Sequence, residues 1–251
     1  MHKDELLEKR LIELSAQSYY RNIIVCSDFL DLNELNILHS IPRTELYTRY
    51  ETCGGYELSE RQMAAFIPDA LCCTKKNFKM LSLKISPLHA KYSEELTHRD
   101  FLGAILNLGI DRSKTGDILT TNNEAILFLH ASLGDFLMEN LTRVKHTAVM
   151  ATPISYDTED FSPQFEEIRG TLTSVRLDSL LALAFPLSRS KMTAVIEAAR
   201  VFVNGRLITS NGYQPKENDI ISVRKMGKIR YMGILNKTKK NRFLVLVHKY
   251  I

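Results

Sequence analysis

Between Phe78 and Ile154 apolar residues recur first with strand spacing, then helical, then strand twice, then helical, then strand, and this order restricts the available folds more than any other feature of the chain. Met80 to Ile85 is a short apolar strand. His98 to Leu108 has helical spacing and is closed by Gly109, a residue that accepts the left-handed backbone on which helices often end. Asp117 to Thr120 and Ala125 to Leu129 read as a hairpin turning at Thr121, Asn122 and Asn123. Leu133 to Leu141 is a second helix and Thr147 to Ile154 a closing strand.

That order is the split βαβ arrangement of ferredoxin-like domains. Residues 1–75 are expected to be mostly helical, with apolar stripes through Leu6, Leu7, Ile12 and Leu14 and through Leu32, Leu35 and Leu38. A Gly54-Gly55 turn precedes a helix start expected at Ser59. The fold class expected is therefore α+β, in three parts. These are a helical N-terminal region at 1–75, a ferredoxin-like βαββαβ middle domain with its linker at 76–170, and a small αβ domain at 171–251. A ferredoxin-like scaffold hosts many unrelated functions, so function has to be read from side chains.

Charge supplies that reading. Residues 176–251 hold 15 Lys and Arg against Asp178, Glu197, Glu217 and Asp219, a net +11, whereas the preceding 175 residues hold 18 against 25, a net −7. From Ile220 onward there is no acidic residue at all. A basic stripe without interspersed carboxylates is the footprint of a protein that binds a phosphate backbone. Within it, Arg176 opens a helix with Leu177, Leu180, Leu181 and Ala184 in one stripe, ended by Pro186. Ser188 caps a second helix with Met192, Val195, Ile196 and Ala199 buried, and with Arg189, Thr193 and Arg200 on a flank beside them. Arg189 and Lys191 in the first turn oppose the helix dipole, a conflict that a bound phosphate would remove. Strands follow, turning at Asn204-Gly205 and at Gly227, so the small scaffold is expected to gather its cations on one face.

Other chemistries lack their residues. Cys26, Cys53, Cys72 and Cys73 form no CxxC pair and no Cys/His spacing that would hold zinc, so reduced thiols and no metal are expected. There is no P-loop and no GxGxxG, and no cofactor is expected. The N-terminal MHKDELLEKR is charged, unlike a signal peptide, and no apolar run reaches the roughly 18 residues of a membrane span, so a cytoplasmic protein without a membrane partner is expected.

The run RLDSLLALAFPLSRSKMTAVIEAARVFVNGRLI followed by ENDIISVRKMGKIR resembles the RNA-binding domain first described in small-subunit ribosomal protein four, the S-four-type domain. THRDFLGAILNLGIDRSKTGDIL and GGYELSERQMAAFIP extend the resemblance, over nearly all of the chain, to YlmH-type proteins. The resemblance implies that Ser188, Arg189, Lys191, Arg200, Asn204, Arg224, Lys225 and the TKKNR turn approach RNA. With the flanking cations, the candidate RNA-binding set becomes Arg176, Ser188, Arg189, Lys191, Thr193, Arg200, Asn204, Arg206, Arg224, Lys225, Lys228, Arg230, Lys237, Lys239, Lys240 and Arg242. It also implies a bacterial, monomeric protein that binds ribosomal RNA and transfer RNA on the large ribosomal subunit and rescues stalled or obstructed subunits without catalysis. Two positions depart from the pattern. The usual glycine before Arg200 is Ala199, which fits if the helix ends one residue later, and that of the TKKGR-like turn is Asn241, which tolerates positive φ.

The alternative is an RNA-modifying enzyme, pseudouridine synthase-like, with a site in residues 1–155. Its candidate cluster is His98, Asp100, Asp117 and His130. Arg176-Leu177-Asp178 is similar to the catalytic triplet of those synthases, but here it opens a helix, where Asp178 is expected as a cap or first-turn anion. Arg99, Asp100, Arg112 and Asp117 are expected to cap helices and pair with one another.

Overall fold

The structure, a computed structural model, describes residues 3–56, 59–71, 78–155, 165–238 and 241–250. It is α+β, in two compact units, Met1–Ser162 and Pro163–Ile251. Cys72 and Cys73 lie outside the described residues, and Cys26 and Cys53 are free thiols.

The first unit begins with helix α1 (Lys3–Arg21), strand β1 (Val25–Leu30) and helix α2 (Leu32–Ser40). Asp31 starts α2 with a capping box: its carboxylate accepts the Glu34 amide and the Glu34 carboxylate accepts the Asp31 amide, each at 2.9 Å. Leu11 and Leu14 of α1 pack on Leu35 and Leu38 of α2 and on Phe66. Beyond Ser40 the region departs from the helical expectation. Strands β2 (Arg49–Cys53) and β3 (Gln62–Ile67) join β1 in an antiparallel sheet of order β1-β3-β2, and no helix begins at Ser59. The run Met63 to Ile67 is buried on both faces as the central strand, and such a continuous apolar run has no period to separate strand from helix.

The expected βαββαβ order follows: β4 (Met80–Pro87), α3 (His98–Asn107), β5 (Thr115–Thr121), β6 (Glu124–His130), α4 (Gly134–Asn140) and β8 (Thr147–Ile154), with the two-residue β7 (Arg143–Val144) before β8. The sheet order is β5-β6-β4-β8-β7 and every neighbouring pair is antiparallel, so β6 lies between the parallel β4 and β5 as a split βαβ requires. Asn122 and Asn123, at φ 50° and 64°, make the hairpin turn. Ala125 to Leu129 of β6 are all buried because the two faces of the strand have different partners. Leu127 and Leu129 pack under Phe101, Ile105 and Leu137 of the helices, and Ile126 and Phe128 meet Phe29 and Met63 of the N-terminal sheet.

The second unit contains β9 (Phe165–Leu172), α5 (Leu177–Ala184), α6 (Arg189–Glu197), β10 (Val201–Val203), β11 (Arg206–Leu207), β12 (Ile220–Val223), β13 (Gly227–Lys237) and β14 (Phe243–Tyr250). They form one antiparallel sheet of order β11-β10-β12-β13-β14-β9. Residues 165–170 were expected with the middle domain, but they pair with β14 along their whole length, Phe165 opposite Tyr250 through to Leu172 opposite Phe243. Charge helps to select this partner: Glu166 meets Lys249 at 3.4 Å, and Glu167 lies 3.6 Å from His248. Leu177, Leu180, Leu181, Met192 and Ile196 of the two helices close the core over Val201, Val223, Ile229, Tyr231, Val245 and Val247.

Candidate nucleic-acid interface

α5 and α6 present their first turns to a single carboxylate. Asp178 is nearly inaccessible, with its side chain 4% exposed, and it receives the Arg189 guanidinium through Nε at 2.8 Å. Arg176 donates to the other carboxylate oxygen from Nε at 3.3 Å. Burial alone raises the pKa of Asp178, but the hydrogen bonds from Arg189 and Arg176 outweigh it, and the carboxyl sits below its ordinary value. The side chains of Arg176 and Arg189 remain 36% and 51% exposed. Arg176 also donates to the Asn211 side chain at 3.4 Å. A buried anion thus fixes the orientation of two cations whose outer edges face solvent, and the fork geometry of Arg suits such edges to phosphate oxygens. Nothing in the residue pattern alone marked Asp178 as this hub.

Ser188 caps α6, accepting the Lys191 amide at 3.4 Å, while Lys191 is exposed and Thr193 donates back to the Arg189 carbonyl at 3.1 Å. The far end of α6 departs from expectation. The helix stops at Glu197, and Ala199 itself takes the left-handed conformation at φ 57°. The Ala199 amide donates to the Ile196 carbonyl and that of Arg200 to the Val195 carbonyl, which is the Schellman pattern with alanine where glycine is preferred. This turn aims Arg200 at the β12–β13 turn, where its guanidinium donates to the Arg224 carbonyl at 2.9 Å. Lys225 follows in that turn with φ 66°, another position that favours glycine or asparagine. Asn241 has φ 57°, as its tolerance of positive φ allows.

The other candidate residues do not share one face, contrary to expectation. Lys228 and Arg230 alternate with Ile229 and Tyr231, which pack beneath the helices, so they point to the opposite side of the sheet. Arg224 also leans that way, its guanidinium 5.0 Å from the Phe202 ring centre. Lys237 and Arg242 flank the far hairpin, about 30 Å along β13 from Lys228 at the usual rise per residue. Arg206 is exposed on the edge strand β11. Asn204 is engaged at both ends of its carboxamide, accepting the Ile220 amide and donating to Asp219, each at 2.8 Å, so it braces the hairpin. Lys239 and Lys240 lie outside the described residues.

Asp100, Asp117 and His130 of the candidate catalytic cluster each bond to partners outside it. Asp100 belongs to the α3 capping box, bonded to Thr97 and to Lys145 at 2.8 Å, and the hydrogen bond from Lys145 is the main reason its pKa falls to about 2. His98 is exposed at the start of α3, and His130 bonds its neighbour Ser132. Asp117 accepts from the Tyr56 hydroxyl at 2.8 Å and from the Glu60 and Arg61 amides at 2.7 and 3.3 Å. Arg112 does not pair with Asp117 as expected. It bonds the Thr115 and Gly116 carbonyls at 2.9 Å and also the Thr115 hydroxyl, and burial, followed by the nearby Arg61 charge, lowers its pKa to about 10. Arg61 donates to the carbonyls of Thr115, Phe29 and Arg112 at 2.9 to 3.1 Å. Gly55, at φ 99°, lies flat against Phe128, where a Cβ would come within 2.2 Å of the ring. The motif around Gly54 to Ile67 is therefore the joint that locks the N-terminal sheet to the middle domain.

Comparison with known proteins agrees with this anatomy. Residues 74–158 match the family model described as "Putative RNA-binding domain in YlmH", and residues 175–221 match the S4 domain. Ribosome-associated protein quality control protein P2 of Bacillus subtilis is 29% identical over 245 residues, 96% of this chain and 91% of that one. Cell division protein ylmH from Streptococcus pneumoniae shares the fold at TM-score 0.52 and 20% identity, over 64% of this chain and 96% of the other. Both matched domains lie in order along a chain that aligns with the Bacillus subtilis relative almost end to end: the chain carries a YlmH-type domain followed by an S4 domain.

Proposed function

We propose that this chain is a non-catalytic, ribosome-associated RNA-binding protein whose S4 domain grips structured ribosomal RNA along the α5–α6 side. On this reading it acts in the cytoplasm on the large ribosomal subunit, close to transfer RNA, in the rescue of stalled or obstructed subunits. The observation that carries the reading is the pair of half-exposed arginines, Arg176 and Arg189, held on the buried Asp178. Arg189 and Thr193 lie one turn apart on one flank of α6, and the turn after the helix aims Arg200 at the β12–β13 turn. Arg176, Arg189, Lys191, Arg200 and Lys225 supply about five cationic phosphate contacts. Double-stranded RNA hides its base edges in a deep groove, so such a surface reads shape and backbone. The relative's name supports the ribosomal setting.

The test is filter binding of the full chain to purified large-subunit ribosomal RNA across salt. About five contacts give a log–log slope near −4 and a loss of roughly a hundredfold to a thousandfold between 50 and 200 mM salt. The double variant Arg189→Ala/Lys191→Ala should bind more weakly with a slope shallower by about 2. Unchanged binding by that variant removes α6 from the interface.

A further inference from the structure

α3 contains a glycine that its own fold does not require. Gly109, just past the helix, has φ 81° and ends it, which explains that glycine. Gly103 sits inside α3 with no positive φ, and a Cβ built there meets nothing within 4 Å. A glycine inside a helix is less favourable than alanine because the unfolded chain gains conformational freedom. Neither packing nor backbone conformation in the folded chain accounts for it.

Gly103 lies on the wall of an open cleft of about 540 Å³ between α3 and the α4–β7 segment. Arg99, Asn107, Asn140, Thr142, Arg143 and Lys145 supply its polar lining. The one carboxylate in the lining, Asp100, is matched by Lys145 at 2.8 Å and by the Thr97 hydroxyl and amide at 2.6 and 2.8 Å, so it adds no free negative charge. Lys145 itself takes φ 51° in the β7–β8 turn, a conformation uncommon for lysine. Arg99 and Arg143 are exposed and form no ion pair among the described residues. The lining therefore carries net positive charge, amide and hydroxyl groups, and a stretch of helix surface without a side chain.

We infer that this cleft is a second RNA contact, in which a sugar-phosphate backbone lies across Gly103 with Arg99 and Arg143 on its phosphates. A missing Cβ lets an extended ligand approach helix backbone closely, and the exposed arginines in the same lining suit a polyanion rather than an apolar or cationic partner. The inference rests on the proposed RNA-binding function and adds a surface on the other unit of the chain.

The experiment uses the full chain, purified large-subunit ribosomal RNA and purified large subunits. Gly103→Ala should raise the melting temperature of the first unit by about 2 °C, since helix propensity improves and nothing is displaced. Gly103→Gln, which fills the gap without adding charge, should weaken RNA binding by about tenfold while leaving that unit folded. Arg99→Ala/Arg143→Ala should weaken binding by at least about tenfold and flatten the salt slope by about 2. If these variants bind RNA like the parent while Arg189→Ala/Lys191→Ala does not, the cleft is no RNA site and the S4 reading stands. If the S4 variant also binds like the parent, both fail. Loss of subunit co-sedimentation with free-RNA binding intact assigns the cleft to an acidic protein surface and overturns the inference.

Discussion

Each unit of this chain sets two arginines near one aspartate, and the two arrangements have opposite consequences. In the first unit Arg61 and Arg112 turn their donors onto backbone carbonyls, and Asp117 takes its bonds from the Tyr56 hydroxyl and backbone amides. Their hydrogen-bonding groups are directed inward. In the second unit only the carboxylate of Asp178 is buried, and the side chains of Arg176 and Arg189 stay partly exposed. The same residue types thus build a joint in one place and a presenting surface in the other. What separates them is which partner is buried: backbone acceptors consume an arginine, whereas a buried carboxylate positions one and leaves its outer edge available.

The contrast breaks most visibly at Arg61. Arg61→Ala leaves the carbonyls of Phe29, Arg112 and Thr115 short of a donor inside the joint, and it should lower the stability of the first unit by about 3 kcal/mol or more. Urea denaturation checks this, and in native buffer the RNA salt slope should match the parent. A lost slope with intact stability would make the joint part of the interface.

Asp178→Asn should have a smaller effect on stability, about 1 to 3 kcal/mol, because its partners are half in water. Its pH signature sharpens the point. The folded-state pKa of Asp178 lies below its unfolded value, so the ionised pair stabilises the fold above the ordinary carboxylate range, and that stabilisation is lost as pH falls through the folded pKa. The parent should therefore lose more stability than Asp178→Asn in acid denaturation below about pH 4. Parallel acid profiles would mean that the carboxylate is not ionised in the fold.

The smallest expected change is at the end of α6. Ala199→Gly removes the left-handed strain at φ 57° and should stabilise the second unit by about 0.5 to 1 kcal/mol, with RNA affinity unchanged. A destabilised variant would show that the alanine methyl group contributes packing that outweighs the strain.

The two units also differ in how much of them the sequence makes legible. The ferredoxin-like order could be read because amphipathic helical runs alternate with short apolar runs bounded by turn residues, such as Asn122-Asn123. The N-terminal sheet could not, because Met63 to Ile67 is apolar on both faces and periodicity is silent there. Strand β9 was hidden for a different reason: the acidic FEEIRGTL stretch becomes a strand only when Lys249 and His248 lie opposite its glutamates, which is knowledge of the partner. The cation-rich end was visible from charge alone, but its division over two faces and a distant hairpin depends on strand alternation and on the 11-residue length of β13. Asp178 read as an ordinary first-turn anion because linear spacing does not reveal which arginines fold back onto it.

Whether a buried carboxylate holds arginines in place for RNA is decided by the affinity of Asp178→Asn for large-subunit ribosomal RNA. Simple electrostatics favours tighter binding when a negative charge leaves an RNA-binding surface. The reverse is expected here: affinity falls and the salt slope flattens, because Arg176 and Arg189 lose the group that orients them. Affinity equal to or above that of the parent, with the second unit still folded, would contradict it.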